Sequence, residues 1–230
     1  MSRKKNKYTL ICLLIINSTF HCFAQKSETG NWFAYIGNQA INKKINWHNE
    51  VQYRNYNFVG DLQQLLLRTG IGYNLTEENN NILIGYGYII SERYVKNTDL
   101  KVESKEHRIY QQFITKQKLG RFFIQHRYRL EERFIEEDTQ YRFRYFLSLN
   151  IPINKKTLIE NTVYLSAYNE IFINSQSPVF DRNRVYGGLG YIINKNFKFE
   201  LGYMSQMIEA SQRSQFQIIL FNNLSFANNN

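Results

Sequence analysis

The sequence predicts an all-β fold, a closed antiparallel transmembrane β-barrel of ten or twelve strands, and three observations predict it. Polar and apolar residues alternate with period two through segment after segment. The segments are about as long as the nine to eleven residues a tilted strand needs to cross a bilayer. The chain opens on a secretory signal. The alternation is clearest in Arg121–Arg133, where Gln125, Arg127, Arg129, Glu131 and Arg133 share one face and Phe122, Ile124, Tyr128 and Leu130 the other. After an acidic loop, Arg142 and Arg144 alternate with Tyr141, Phe143, Tyr145, Leu147, Leu149 and Ile151. No helix produces that spacing. A soluble barrel, with the apolar set turned to a core, is the alternative.

Taken in order, the strand-like segments are Trp32–Asn38, Ile45–Phe58, Leu62–Tyr73, Ile82–Arg93 and Glu106–Lys118. The central pair follows, and then Thr157–Tyr168, Arg184–Ile193, Phe197–Met207 and Gln215–Phe226. Glu106–Lys118 alternates least cleanly, because Ile109 and Phe113 share a face with Gln111 and Gln117, and a bulge is expected there. The final segment sets Phe216, Ile218, Leu220, Leu224 and Phe226 on one face, like the terminal signal read by barrel-assembly machinery. The segments number eleven, whereas single-chain bacterial barrels carry an even number. Ten follows if Trp32–Asn38 is not a full strand. Twelve, the preferred count, follows if that aromatic segment is one and another strand has gone unseen. Short connections at 118–121, 152–156 and 194–196 alternate with longer ones at 94–105, 134–140, 169–181 and 208–214, which places the longer set outside the cell. Pro152 and Pro178 fall between segments, so neither interrupts a ladder.

Residues 1–24 read as the signal. Arg3, Lys4, Lys5 and Lys7 precede an apolar run from Leu10 to Ile16, with cleavage expected after Ala24. Removing them from 230 residues leaves 206, read as one barrel domain over 25–230. The formal charge of +10 drops to +6, because four basic residues and no acidic ones leave. Both cysteines leave too, which excludes disulfides, thiolate catalysis and cysteine metal sites from the mature chain. Aromatic residues make up 16% of the chain although its mean hydropathy is negative, a combination that suits a polar-lined barrel with an aromatic exterior. The expected address is the cell outer membrane of a Gram-negative-type envelope. The expected partners are outer-membrane lipids, the barrel-assembly machinery during insertion, and an unnamed small solute. Nucleic acid is discounted, since the arginines alternate with apolar residues on an exported chain.

An early Trp32, Glu50-x-Gln-Tyr-Arg54, Leu66-Leu-Arg68-x-Gly70-x-Gly-Tyr73, Arg127-Tyr-Arg-Leu-Glu131-x-Arg133, Arg142-x-Arg-Tyr145, Asp181-Arg-Asn-Arg184 and Glu200-x-Gly-Tyr-Met204 occur in this order. Together they resemble the bacterial outer-membrane family DUF2490. The resemblance spans nearly the whole mature chain and implies an outer-membrane barrel; it supplies no reaction and no catalytic residues.

The inward face is expected to collect Glu50, Arg54, Arg68, Arg93, Glu106, Arg108, Arg127, Arg129, Glu131, Arg133, Arg142, Arg144, Glu160, Arg184 and Glu200. Ions in a narrow, partly dehydrated lumen need partners, so these residues read as an Arg/Glu network that braces and largely plugs the barrel. The arginine excess gives any remaining path an anion preference. The function expected is a structural or narrow small-solute transport barrel, and the alternative is an outer-membrane lipid-modifying enzyme. For the latter, a histidine base needs a nucleophile in reach. None of His48, His107 and His126 has Ser two residues on; His48 is assigned to the interior, His107 to a rim and His126 to the lipid face. The acidic run Glu131, Glu132, Glu136, Glu137 and Asp138 reads as a solvated loop. No catalytic residue, cofactor or metal is assigned. Gly85-x-Gly87 and Gly187-Gly-x-Gly190 lie within strands and serve close backbone approach.

Overall fold

The computed structural model describes residues 29–76, 79–209 and 211–227. The signal expected at 1–24 lies outside the described residues. Eleven strands follow one another: β1 (Thr29–Ala40), β2 (Ile45–Asn55), β3 (Leu62–Asn74), β4 (Asn80–Tyr94), β5 (Lys101–Leu119), β6 (Phe122–Ile135), β7 (Asp138–Pro152), β8 (Val163–Asn174), β9 (Phe180–Ile192), β10 (Phe197–Ile208) and β11 (Ser211–Asn222). Each pairs antiparallel with the next, and β11 returns to β1, so the sheet has no edge left to template aggregation.

The barrel therefore closes with eleven strands and not with the expected ten or twelve. The eleven segments read from the alternation each correspond to a strand; the even-number rule is what fails. In an up-and-down sheet of odd count the first and last strands point the same way. Accordingly β1 and β11 pair parallel, from Thr29 opposite Ser214 to Gly37 opposite Asn222.

Period two sets which side each residue faces. Trp47, Val51, Leu67, Ile71, Ile84, Tyr128, Leu130, Phe143, Leu147, Leu165, Leu189, Leu201 and Phe216 are exposed on the outer wall. Arg68, Arg108, Arg129, Glu131, Arg142, Arg144, Glu170, Arg184 and Glu200 are buried within. This is the reverse of a soluble barrel. At mid-height the interior is packed, with Tyr110, Leu66, Ile89, Met204, Gln217, Glu131 and Arg129 nearly without exposure. Trp32, Ala34, Tyr186, Met204 and Ile219 form the one apolar cluster among the buried described residues.

Glycines on the inner wall make room for tyrosines. A Cβ on Gly85 would meet Tyr110 Cζ at 2.4 Å, and one on Gly190 would meet Tyr164 Cζ at 2.1 Å. Each ring thus lies flat against backbone that any side chain would hold away, which gives the expected close approach its physical form.

Several features differ from the sequence reading, most of all in β8, in β11 and in the expected bulge. The eighth strand is Val163–Asn174 and not Thr157–Tyr168. Residues 157–162 instead belong to a connection that makes its own hydrogen bonds: Val163 N donates to Asn154 Oδ1, Ile159 N to Thr162 Oγ1 and Lys155 Nζ to the Glu160 carbonyl. The last strand ends at Asn222, so Leu224 and Phe226 lie beyond it, where Phe226 N donates to the Ala40 carbonyl. The bulge expected in Glu106–Lys118 is absent, since β5 runs in unbroken register with β4 and β6. Register shifts occur instead at Arg54/Asn55 and at Phe172/Ile173.

We call the rim at 56–61, 95–100 and 175–179 the upper one, and the rim at 41–44, 75–79, 153–162 and 193–196 the lower one. The contrast in loop length expected between the rims is gone. Strands β6 and β7 continue to a turn at 136–137, where Glu136 takes φ 54°, while the longest connection, 153–162, lies at the lower rim. Loop length therefore assigns no orientation.

Candidate functional site

The candidate site is the charged interior. Strands β5 to β8 present Glu106 and Arg108, then Arg129, Glu131 and Arg133, then Arg142 and Arg144, then Glu170, all on inward parity. In register, Arg108 stands opposite Arg133 and Arg129 opposite Arg144. Like charges directly opposite destabilise a sheet, so the carboxylates must neutralise both pairs from diagonal positions. Glu131 does so at the centre. With no exposed side-chain surface it lies 2.6 Å from Arg142 and from Arg144, 3.4 Å from Arg108, 3.7 Å from Arg129 and 3.8 Å from Arg68.

Further carboxylates extend the lattice. Glu170 receives Arg144 at 2.5 Å and Arg127 at 2.7 Å, with Arg184 at 3.6 Å. Glu106 receives Arg108 at 2.6 Å and Arg133 at 2.7 Å. Glu50 lies 3.2 Å from Arg68 and 3.5 Å from His48, and accepts the Gln52 side-chain amide. Glu200 accepts the Tyr164 hydroxyl at 2.8 Å and the Ser166 hydroxyl at 2.9 Å.

The register shift at Phe172/Ile173 supplies one more anion. It leaves Asp181 without a partner in the ladder and turns it inward beside Arg182, where it binds Arg142 at 2.8 Å and Arg182 at 2.9 Å. Aromatic faces complete the arginine shells. Arg144 stacks on Phe172 at 4.4 Å, Arg129 on Tyr110 at 4.6 Å and Arg127 on Phe146 at 4.4 Å.

Of the fifteen residues assigned to the lumen from sequence, fourteen are on its wall. Arg93 is exposed at the upper mouth, while Arg127 and Arg133 are half-buried. The exception is Glu160, which is exposed in the lower-rim connection 153–162. The six-residue displacement of β8 explains the error: Glu160 has inward parity but lies before the strand begins. Glu170, ten residues on with the same parity, holds the position that Glu160 was given. Asp181, Arg182 and Arg213 also went unassigned. A bulge conceals the parity of the first two, and Arg213 falls before the expected start of the last strand.

Above the packed middle, the upper half of the lumen opens into a vestibule of about 1460 Å³. Ten arginines line it, against the four carboxylates Asp61, Glu92, Glu106 and Asp181, so its field is strongly positive. The 56–61 loop is pinned over one side of its mouth. The Tyr94 hydroxyl donates to Asp61, Lys101 bridges Asp61 at 2.6 Å and Glu92 at 2.9 Å, and Arg213 stacks on Tyr56 at 4.5 Å.

The histidines separate as parity requires. His48 is inward beside Glu50. His107 faces outward, and so does His126, opposite Thr115 and Leu147. Each outward ring meets a tyrosine on the neighbouring strand, His107 Nδ1 lying 2.5 Å from the Tyr86 hydroxyl and His126 Nδ1 2.8 Å from that of Tyr145. His126 thus has a polar partner, the Tyr145 hydroxyl, on the outer wall. Among the described residues no cluster of His, Cys, Asp and Glu suited to a metal ion occurs, and the acidic run resolves into the buried Glu131, Glu132 hydrogen-bonded to the Tyr141 hydroxyl at 3.0 Å, and an exposed turn.

Comparison with curated proteins and with solved structures returns no match. A family model does match, over residues 29–217, from the first strand well into the last. The chain belongs to that family, DUF2490, described as a protein of unknown function.

Proposed function

We propose that this chain is an outer-membrane β-barrel, exported by a cleaved N-terminal signal, whose lumen is plugged at mid-height by an Arg/Glu lattice and which serves as a structural or narrow small-solute barrel. The observation that carries the reading is Glu131: a carboxylate with no exposed surface sits among five arginines, inside a wall whose outer side exposes large apolar side chains on most strands and is most polar on β5. An apolar exterior of this extent is stable against hydrocarbon and not against water. The strands, from 11 residues in β2 to 19 in β5, are long enough to span. At mid-height the ions of β5 to β8 are held by oppositely charged neighbours, which occupies the space that a conducting path would need. Outer-membrane lipids contact the outer wall, and barrel-assembly machinery inserts the chain.

Membrane fractionation with heat-modifiable gel mobility tests the first half of the proposal; a soluble, readily purified mature chain would overturn it. A planar-bilayer recording tests the second half. The expected result is little or no steady conductance, with anion preference in any that occurs, because arginine outnumbers carboxylate inside. Large cation-selective currents would refute the plugged lumen. A parallel assay of phospholipid and lipid A turnover addresses the enzymatic alternative. Turnover abolished by substitution of His48, His107 or His126 would move the protein into that class.

A further inference from the structure

The lattice is lopsided. On the β5 to β8 side of the lumen, arginines are matched to Glu106, Glu131, Glu170 and Asp181. On the opposite side, β9, β10, β11, β1 and β2 lie side by side and present Arg184, Arg213 and Arg54, while the carboxylates there are engaged elsewhere: Asp181 with Arg142 and Arg182, Glu200 with Tyr164 and Ser166, and Glu50 with Arg68 and His48. Arg54 is 8% exposed, yet among the described residues it makes no ion pair. One terminal nitrogen donates to Gln52 Oε1 at 2.5 Å, its guanidinium stacks on Trp32 at 3.7 Å, and its Nε–H has no acceptor.

Arg184 stacks on the same indole at 5.0 Å and donates to Gln206 Oε1 at 2.8 Å; the nearest carboxylate oxygen, on Glu170, is 3.6 Å away. Gln206 stands directly opposite Arg213, which donates to the Asn55 and Tyr56 carbonyls and likewise leaves its Nε–H without an acceptor. All three arginines line the vestibule.

Buried or half-buried guanidinium groups with no carboxylate, or only a distant one, held by aromatic and amide neighbours in fixed orientation, are costly unless an anion arrives. Their planar forks match oxyanions in bidentate fashion. We propose that the vestibule binds a soluble multivalent oxyanion of the phosphate-ester or polyphosphate class, seated on Arg54, Arg184 and Arg213. The cavity is larger than the roughly 300–1,000 Å³ common for small-molecule sites, so a solute with several anionic groups fits better than a single phosphate. The proposal deepens the barrel reading and rests on it for an aqueous upper mouth. Binding is read without current, so a silent bilayer and a failed titration are separate results.

The sequence contains two tryptophans. Trp47 is on the outer wall and donates to Thr69 Oγ1 at 2.9 Å, so Trp47→Phe leaves Trp32, beneath Arg54 and Arg184, as the reporter. The full mature chain bearing that change is titrated with tripolyphosphate in neutral detergent. We expect a saturable change in Trp32 emission below about 1 mM, weakened about tenfold or more by Arg54→Gln or Arg184→Gln.

Lys195→Gln, exposed in the lower-rim connection 193–196 and away from the vestibule, should leave the half-saturation point within about threefold, as expected for a remote charge screened by salt. Arg54→Lys, which keeps the charge and loses the fork, should fall between. Heat-modifiable mobility checks folding of each variant, and Arg213→Gln at the half-buried rim serves if the deeper changes do not fold. No saturation, equal weakening by Lys195→Gln and Arg54→Gln, or saturation by an anionic lipid but not by tripolyphosphate would each overturn the proposal.

Discussion

Glu131→Gln replaces one oxygen by an amide at the point where five guanidinium groups meet. Two of them, on Arg142 and Arg144, lie 2.6 Å from its oxygens, and a third, on Arg108, at 3.4 Å. With charge centres about 4 Å apart and an effective dielectric near 20, each close pair contributes about 4 kcal/mol of attraction before desolvation is subtracted. The desolvation of the arginines is not recovered in the variant, because they stay buried. Removal of one partner from a buried pair costs about 3–5 kcal/mol. The glutamine carbonyl still accepts one hydrogen bond, which sets the expected loss near 3 kcal/mol in that range.

The assay is denaturant unfolding of the refolded chain in detergent, with the fraction folded read from heat-modifiable mobility and Trp emission. Adding Arg142→Gln, whose Nη2 meets Glu131 directly, should cost much less in the Glu131→Gln background than alone, a coupling of about 1–3 kcal/mol. Salt should change the wild-type midpoint little, since buried pairs are weakly screened. A loss under about 1 kcal/mol, with wild-type stability falling steeply in salt, would show that the lattice behaves as solvated surface pairs and would sink the plugged-lumen account.

Other perturbations test other parts of the fold. Gly190→Ala places a methyl 2.1 Å from Tyr164 Cζ and should destabilise by about 1–3 kcal/mol, whereas Gly187→Ala, with nothing within 4 Å, should be near neutral; equal effects in the same unfolding assay would reject ring-on-backbone packing. Leu147→Arg, on the outer wall, should reduce insertion by about 2–4 kcal/mol if it lies near the bilayer midplane, while the same charge at inward Gln125 is tolerated. A tag at Ser175 and one at Lys155 occupy opposite rims, so on intact cells antibody should reach one and not the other, and labelling of both or of neither would reject a spanning barrel. Labelling at Ser175 alone would place the vestibule outside, and at Lys155 alone would turn it toward the periplasm.

Parity was legible in the sequence and position along the barrel axis was not. Period two decides only which side of the wall a residue faces, and a charged row opposite an apolar row states it openly, as in Arg127, Arg129, Glu131 and Arg133. The start of a strand is written far more weakly. Thr157–Tyr168 alternates well enough to pass for a strand, and only the hydrogen bonds of Asn154 and Thr162 show that 153–162 forms a connection of its own. Glu160 was lost and Glu170 missed by that single displacement, although both carry inward parity. Bulges conceal more. At Phe172/Ile173 the ladder drops Asp181, so two consecutive residues, Asp181 and Arg182, face inward, a pattern that strict alternation forbids.

Partner choice was beyond reach for a related reason. Glu131 stands opposite Arg142 and Glu170 opposite Arg184 only because of the registers β6 to β7 and β8 to β9 adopt. A shift of two residues keeps every parity while exchanging every partner. Those registers also decide where compensation stops. Arg108 opposite Arg133 and Arg129 opposite Arg144 are tolerable because Glu106 and Glu131 sit diagonally between them. Across the lumen, Arg213 stands opposite the uncharged Gln206 and Arg54 opposite Gln64, while Arg184, flanked by Gln206 and Glu170, has the Glu170 carboxylate only at 3.6 Å. Glutamine oxygens orient a guanidinium without cancelling its charge. The same lattice that closes the middle of the barrel through matched charge thus holds arginines ready, on its other side, for an anion the chain does not itself supply.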